Sequence, residues 1–262
     1  MTDRARVDPK CLFVTGASSG FGATLARRFV SRGARVIMAA RRFDRLEALA
    51  DELGERALPV ALDIQDTKAV ERAIADLPPD FADIDCLVNN AGLALGLAPA
   101  ESADLSHWSA MIDTNCKGMV QLTRALLPGM VSRRRGHIVN MGSVAGTYPY
   151  PGGNVYGATK AFVHQFSLNL RSDLHGIGVR VTCIEPGMCV GTEFSEVRFG
   201  GDKNKATAVY AGMRPLTAED IADAIEWATT APSNVNINVI ELMPVDQSFA
   251  PFAVKRDAEA SS

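Results

Sequence analysis

Short apolar runs alternate with longer amphipathic stretches along the whole chain. "CLFVTG" (11–16) is apolar at odd and even positions alike, as a strand buried on both faces must be. "GATLARRFVSRG" (22–33) changes to helical spacing and stops at Gly33. The same alternation predicts strands at 34–40, 58–63, 84–92, 136–143, 178–187 and 236–242. Helices are predicted at 43–54, 66–77, about 106–132, 154–174 and 217–228. Gly54, the Asp66 cap and the pair Pro78-Pro79 punctuate them.

Strands alternating with helices imply right-handed βαβ units. The predicted fold class is therefore α/β: one doubly wound parallel sheet of about seven strands flanked by helices, the Rossmann type, with 1–262 as a single domain. Ligands in such sheets bind beyond the carboxyl ends of the strands. "TGASSGFG", "RR", "NNAG", "GSVAG" and "PGM" all fall just past predicted strands. The polar, glycine-rich stretch 189–212 also follows a strand end. It reads as a lid over the site, with a disordered loop as the alternative. The tail "KRDAEASS" reads as frayed.

Composition narrows the function. The 262 residues carry a formal charge of −3, with 47% hydrophobic and 22% charged residues. That supplies a large core and no basic surplus for nucleic acid or an anionic membrane. Arg133-Arg134-Arg135 reads as a solvated helix end, where cations favour the dipole. Five scattered cysteines without a CxxC pair fit reduced thiols in the cytoplasm. The four histidines lack metal spacing, so no metal is expected. The first ten residues show no apolar signal region, and no apolar run reaches spanning length.

The first glycine cluster, Gly16, Gly20 and Gly22, has GxxxGxG spacing between a strand and a helix. Glycines permit a tight turn and close backbone approach, and the helix N-terminus favours a pyrophosphate. Ser18, Ser19 and Phe21 belong to the same turn. An NAD site wants an acid ending the second strand. Here Ala40 stands there, followed by Arg41 and Arg42, which suit a 2′-phosphate and hence NADP. Ordinary surface arginines are the competing reading. Asp63, with Ile64 beside it, ends the third strand as a candidate adenine contact or a turn residue.

Tyr156 and Lys160 are four apart on a predicted helix and so share a face. Ser143, at the end of the fifth strand, can meet them at the sheet edge. Reduction of a carbonyl needs a hydride and a proton for the developing alkoxide. A phenol of ordinary pKa about 10 is a poor base at neutral pH. A cation about 5 Å away, at an effective dielectric of about 20, supplies roughly 3 kcal/mol and would bring the phenol near 7.5. Ser143 can hydrogen-bond the carbonyl oxygen.

In order along the chain stand "TGASSGFG", "NNAG" (89–92), Asn115 in "MIDTNCKG", Ser143, "YGATK" and "PGM" (186–188). Together they resemble the short-chain dehydrogenase/reductase family over essentially the whole chain. The resemblance implies Ser143, Tyr156 and Lys160 in the roles above, with Lys160 also on the nicotinamide ribose. It implies that Asn115 holds a water of the proton relay and that Asn89, with Ala91 and Gly92, lies beside the cofactor. Pro186, Gly187 and Thr192 are implied near the nicotinamide carboxamide. Stretches such as "YPYPGGNVYGATKAFVHQFSLNLRSDLHG" and "IEPGMCVGTEFSEVRF" are similar to NADP-dependent 3-hydroxy acid dehydrogenases, which act on serine, allo-threonine and related acids or their semialdehydes. Cys189 departs from that pattern.

A small acid wants a cationic anchor. Arg198 is the candidate, with Tyr150 lining the pocket; a surface or subunit-contact role for Arg198 is the alternative. Sulfoacetaldehyde reduction is a rival activity, since a sulfonate also needs a cation. A non-catalytic NADP sensor would not need a full proton relay. The resemblance further implies a homotetramer, with the apolar segment 236–254 between subunits.

Overall fold

The computed structural model describes residues 8–249. Seven parallel strands form one sheet in the order β3-β2-β1-β4-β5-β6-β7: β1 Cys11–Thr15, β2 Arg35–Ala40, β3 Ala57–Ala61, β4 Cys86–Asn89, β5 Gly136–Met141, β6 Val179–Pro186 and β7 Val239–Leu242. The helices are α1 Gly20–Ser31, α2 Phe43–Leu53, α3 Thr67–Ala75, α4 Pro79–Ala82, α5 Leu105–Ile112, α6 Met119–Arg133, α7 Asn154–Asp173, α8 Phe194–Arg198, α9 Lys203–Ala208 and α10 Ala218–Thr229.

Alternate residues of β1 show why its sequence is apolar at both parities. Leu12 and Val14 pack with Phe29 of α1 and Ile221 and Ile225 of α10. Phe13, between them, packs on the other face with Leu122, Leu126 and Met130 of α6. Every residue of β1 is buried. The order reverses between β1 and β4, and this switch point opens a crevice at the carboxyl edge.

Side-chain caps start α3, α5, α9 and α10. The Asp66 carboxylate accepts from the Ala69 N–H at 3.0 Å and caps α3. Thr217 and Asp220 form a reciprocal capping box on α10.

One expectation needs correction, and two gain detail. The helix expected over 106–132 contains a π-helical segment, Asp113–Gly118, between α5 and α6. Hydrophobic period does not register a single wider turn. The run at 133–135 ends the helix with Arg134 and Arg135 exposed, and two of its side chains are also tied down. Arg133 Nη2 donates to Ile84 O at 2.9 Å and Arg135 Nε to Asp85 Oδ1 at 2.8 Å, tying α6 to the amino end of β4. The stretch 189–212 is partly helical, holding α8 and α9. The frayed tail and residues 250–254 of the expected subunit contact lie outside the described residues. Among those residues no helix is long and apolar enough to cross a membrane.

Candidate active site

A cavity of about 760 Å³ runs along the carboxyl edge of the sheet. At one end the turn after β1 forms its floor through Gly16, Ser18, Ser19, Gly20 and Phe21. Gly16 has φ +66°, and a Cβ there would come within 2.9 Å of Asn90 Nδ2. Gly22 lies behind the lining. A Cβ on it would stand 2.5 Å from Gly16 O, so its bareness lets α1 close on the turn. The N-terminus of α1 thus points at a cradle with room for a pyrophosphate.

Arg41, Arg42, Asp63 and Ile64 line the same end. Arg42 donates from Nε and Nη2 to Ser18 Oγ (3.3 and 3.1 Å) and from Nη2 to Ser19 Oγ (3.0 Å). Asp63 lines the cavity and also makes a turn, its Oδ1 accepting from the Gln65 N–H at 3.0 Å.

Asn89 is not in this lining. It is buried, and its Nδ2 donates to Thr123 Oγ1 at 2.9 Å and Asn140 Oδ1 at 2.8 Å. The pocket residue of the pair is Asn90, whose Nδ2 donates to Thr15 O at 2.8 Å. Thr15 Oγ1 accepts from the N–H groups of Asn90 and Ala91 at 3.0 and 2.9 Å, fastening the β4 turn to β1. Neither Asn90 nor Thr15 stood out in the sequence. A doublet of asparagines does not say which one lies past the strand end.

Ala91 and Gly92 line the middle of the cavity. A Cβ on Gly92 would approach Asn115 Oδ1 to 3.3 Å and Lys160 Nζ to 3.6 Å, so both side chains converge there. Asn115 sits in the π segment. Its Oδ1 accepts from the Leu93 N–H at 2.9 Å, and its Nδ2 donates to Leu93 O at 2.9 Å and Thr159 Oγ1 at 3.1 Å. The amide clamps the Gly92-Leu93 turn onto α7.

Ser143, Tyr156 and Lys160 meet on the cavity wall. Lys160 Nζ lies 5.8 Å from the Tyr156 ring centroid and donates to Met141 O at 2.7 Å. Burial is the first cause at both groups. It lowers Lys160 from 10.5 to about 8 and pushes the Tyr156 phenol up, against the lowering effect of Ser143 and Arg198. The expectation of a phenol near 7.5 is thus corrected in sign for this geometry: desolvation outweighs the lowering by Ser143 and Arg198. Pro186, Gly187 and Thr192 line the adjoining wall.

Arg198 and Tyr150 close the far end. Arg198 Nη2 donates to Tyr150 Oη at 2.5 Å and Nε to Gly96 O at 3.3 Å. Its guanidinium carbon lies 5.4 Å from the centroids of both Tyr150 and Tyr156. Phe194, unforeseen in the sequence, packs on Tyr156 with centroids 5.6 Å apart.

A crevice with a glycine cradle at one end and a Ser-Tyr-Lys cluster at the other has the layout of a dinucleotide-dependent oxidoreductase. The family model for short chain dehydrogenases matches residues 10–200, and the chain belongs to that family. It is 60% identical over 245 residues to the NADP-dependent 3-hydroxy acid dehydrogenase YdfG of Salmonella typhimurium, covering 94% of this chain and 99% of the relative. It is 56% identical over 247 residues to the serine 3-dehydrogenase of Agrobacterium fabrum, covering 94% and 98%. Among solved structures, the closed form of serine dehydrogenase complexed with NADP+ superposes with a TM-score of 0.93 at 55% identity, covering 94% of this chain and all of that one.

Proposed function

We propose that the chain is an NADP-dependent dehydrogenase that interconverts small 3-hydroxy acids and their 3-oxo acids or semialdehydes. The observation that carries this reading is the part-buried guanidinium of Arg198, 5.4 Å from the ring of Tyr156. In a 3-hydroxy acid the carboxylate carbon and the carbinol carbon are two single bonds apart, roughly 2.5 Å. An acid held on Arg198 therefore has its reacting carbon within reach of the phenol. The printed activities of the two relatives above agree with this class.

The cofactor fits the residues present. The bare Gly16–Gly22 turn admits a pyrophosphate, and Arg41 and Arg42 suit a 2′-phosphate. When bound, the nicotinamide supplies or accepts the hydride. The chain's own groups do the rest. Arg198 and the Tyr150 hydroxyl hold the carboxylate. The Ser143 hydroxyl donates to the substrate oxygen, and Tyr156 gives that oxygen a proton in reduction or removes one in oxidation. Lys160, fixed by Met141 O, places positive charge beside the phenol. Asn115 holds the turn against which both pack. The 189–212 stretch, which contributes Arg198 and Phe194, serves as the substrate lid.

The test is a panel of malonic semialdehyde, sulfoacetaldehyde and matched uncharged aldehydes, each with NADPH and with NADH. Turnover led by the carboxylate substrate with NADPH is expected. Sulfoacetaldehyde leading would move the assignment to sulfonates, and no turnover of any would point to a non-catalytic NADP-binding protein. We further propose a homotetramer, because Leu105, Phe162, Trp227 and Val245 leave apolar surface on several faces. A monomeric mass by sedimentation would overturn that.

A further inference from the structure

Arg42, one of the two arginines read as a 2′-phosphate site, already holds an anion. Arg42 Nη1 forms an ion pair with Glu193 Oε2 at 2.7 Å, and Glu193 Oε1 accepts from Arg45 Nη1 at 2.7 Å. With Nε and Nη2 on Ser18 and Ser19, every nitrogen of Arg42 is engaged. The serine hydroxyls can turn and donate to a phosphate, because a hydroxyl both donates and accepts. An ionised carboxylate only accepts. The hydrogen bond from Arg45, and then that from Arg42, hold Glu193 down at about 2, so it stays ionised at any working pH. Of the partners of Arg42, Glu193 alone cannot serve a phosphate and must give way to one.

Glu193 is also the residue from which α8 starts. On its amino side Thr192 rests on the phosphate turn, since a Cβ on Gly20 would meet Thr192 Cγ2 at 2.9 Å. On its carboxyl side α8 carries Phe194 onto Tyr156 and Arg198 into the substrate end. One side chain therefore joins the adenosine end of the cavity to the helix that shapes the reacting end.

Resting on the reading of Arg41 and Arg42 as a 2′-phosphate site, we propose that Glu193 is an internal competitor for that phosphate. The phosphate takes Arg42 and Arg45 from Glu193, which makes Arg45 a further phosphate ligand. Glu193 then sets how strongly the site prefers a phosphorylated dinucleotide, and its release tells α8 which cofactor is bound.

The test uses 2′,5′-ADP and 5′-AMP, which differ only in the 2′-phosphate, titrated calorimetrically into the full-length protein and its variants. Wild type is expected to prefer 2′,5′-ADP. Glu193→Gln is expected to tighten 2′,5′-ADP roughly two- to fivefold, the range that an exposed ion pair commands, and to leave 5′-AMP unchanged. Glu193→Ala, which keeps no hydrogen-bonding group, should act in the same direction. Arg45→Met should weaken 2′,5′-ADP alone. Hydrogen exchange over 193–198 should rise in wild type with 2′,5′-ADP and not with 5′-AMP. Weaker 2′,5′-ADP binding by Glu193→Gln would show that Glu193 preorganises the arginines, and would overturn the proposal. Equal shifts for both nucleotides would do the same. If wild type does not distinguish the nucleotides, the 2′-phosphate reading itself falls and takes this one with it. A wild-type preference that ignores Glu193→Gln sinks only the competitor.

Discussion

Replacing Arg198 by methionine removes the guanidinium and keeps a side chain of similar length. Arg198 is part-buried, stacked against Tyr150 and Tyr156, and tied to Gly96 O and Tyr150 Oη. A hydrogen bond to a charged group contributes about 1.5–3 kcal/mol. A fork of two on one carboxylate, discounted for solvent at this site, comes to about 3 kcal/mol, or roughly a hundredfold in kcat/KM. The assay is steady-state kinetics on a 3-hydroxy acid and on its methyl ester. The acid should lose roughly a hundredfold, mostly in KM, while the ester changes little. Arg198→Lys keeps the charge without the fork and should recover part of the loss. An equal fall for acid and ester would mean that Arg198 only holds the pocket wall. An unchanged acid would remove the anchor, and the 3-hydroxy acid assignment with it.

Tyr156→Phe should cost about 10²–10⁴-fold in kcat, the range of a lost general acid, with cofactor affinity retained by fluorescence titration. Gly22→Ala should abolish dinucleotide binding in the same titration, because its methyl meets Gly16 O and Ala17 Cα, which are backbone and cannot turn aside. Lys160 titrates at about 8 in the fold against 10.5 ordinarily, so between those values the unfolded chain holds the extra proton. Wild-type stability should accordingly rise relative to Lys160→Met as the pH climbs from about 8 to 10.5, by at most about 3 kcal/mol in urea titrations. A flat difference would mean that Lys160 is not desolvated.

The strands were legible because a doubly buried sheet leaves a mark at every residue: Leu12, Phe13 and Val14 are apolar in succession, and each faces a different layer from the next. The meeting of Ser143, Tyr156 and Lys160 on one cavity wall was legible because Tyr156 and Lys160 share one helix and Ser143 precedes it by one loop. What failed depended on partners distant in sequence. Asn89 and Asn90 look alike in the chain. The register of β4 on β5 sets Asn89 opposite Asn140 inside the sheet and leaves Asn90 past its end. Arg133 and Arg135 carry no sign of Ile84 and Asp85. Glu193 reaches Arg45 across 148 residues, a contact that no local pattern encodes. The pKa expectation failed for a related reason. Charge and spacing can be read along a helix, but the desolvation that outweighs them is a property of the assembled wall.

That desolvation has a consequence for direction. The phenol of Tyr156 is pushed up by burial, and Arg198 is among the groups pulling it down. A carboxylate bound to Arg198 cancels that pull. At 5.4 Å and an effective dielectric of about 20, the cation is worth about 3 kcal/mol. Screening at this part-exposed residue leaves about 1 kcal/mol, or somewhat under one pH unit. Oxidation needs the phenolate and reduction needs the phenol. An acid substrate should therefore reach half-maximal oxidation at a pH higher than an uncharged alcohol by roughly half to one unit. Reduction of the acid should stay flat through neutral pH. Lys160, still largely charged below about 8, is then the remaining cation beside the phenol, and near neutrality the phenol facing a bound acid should stand mostly protonated, as reduction requires. Coincident oxidation profiles for acid and alcohol would show that Arg198 does not act on the phenol, and would leave the carboxylate a passive handle.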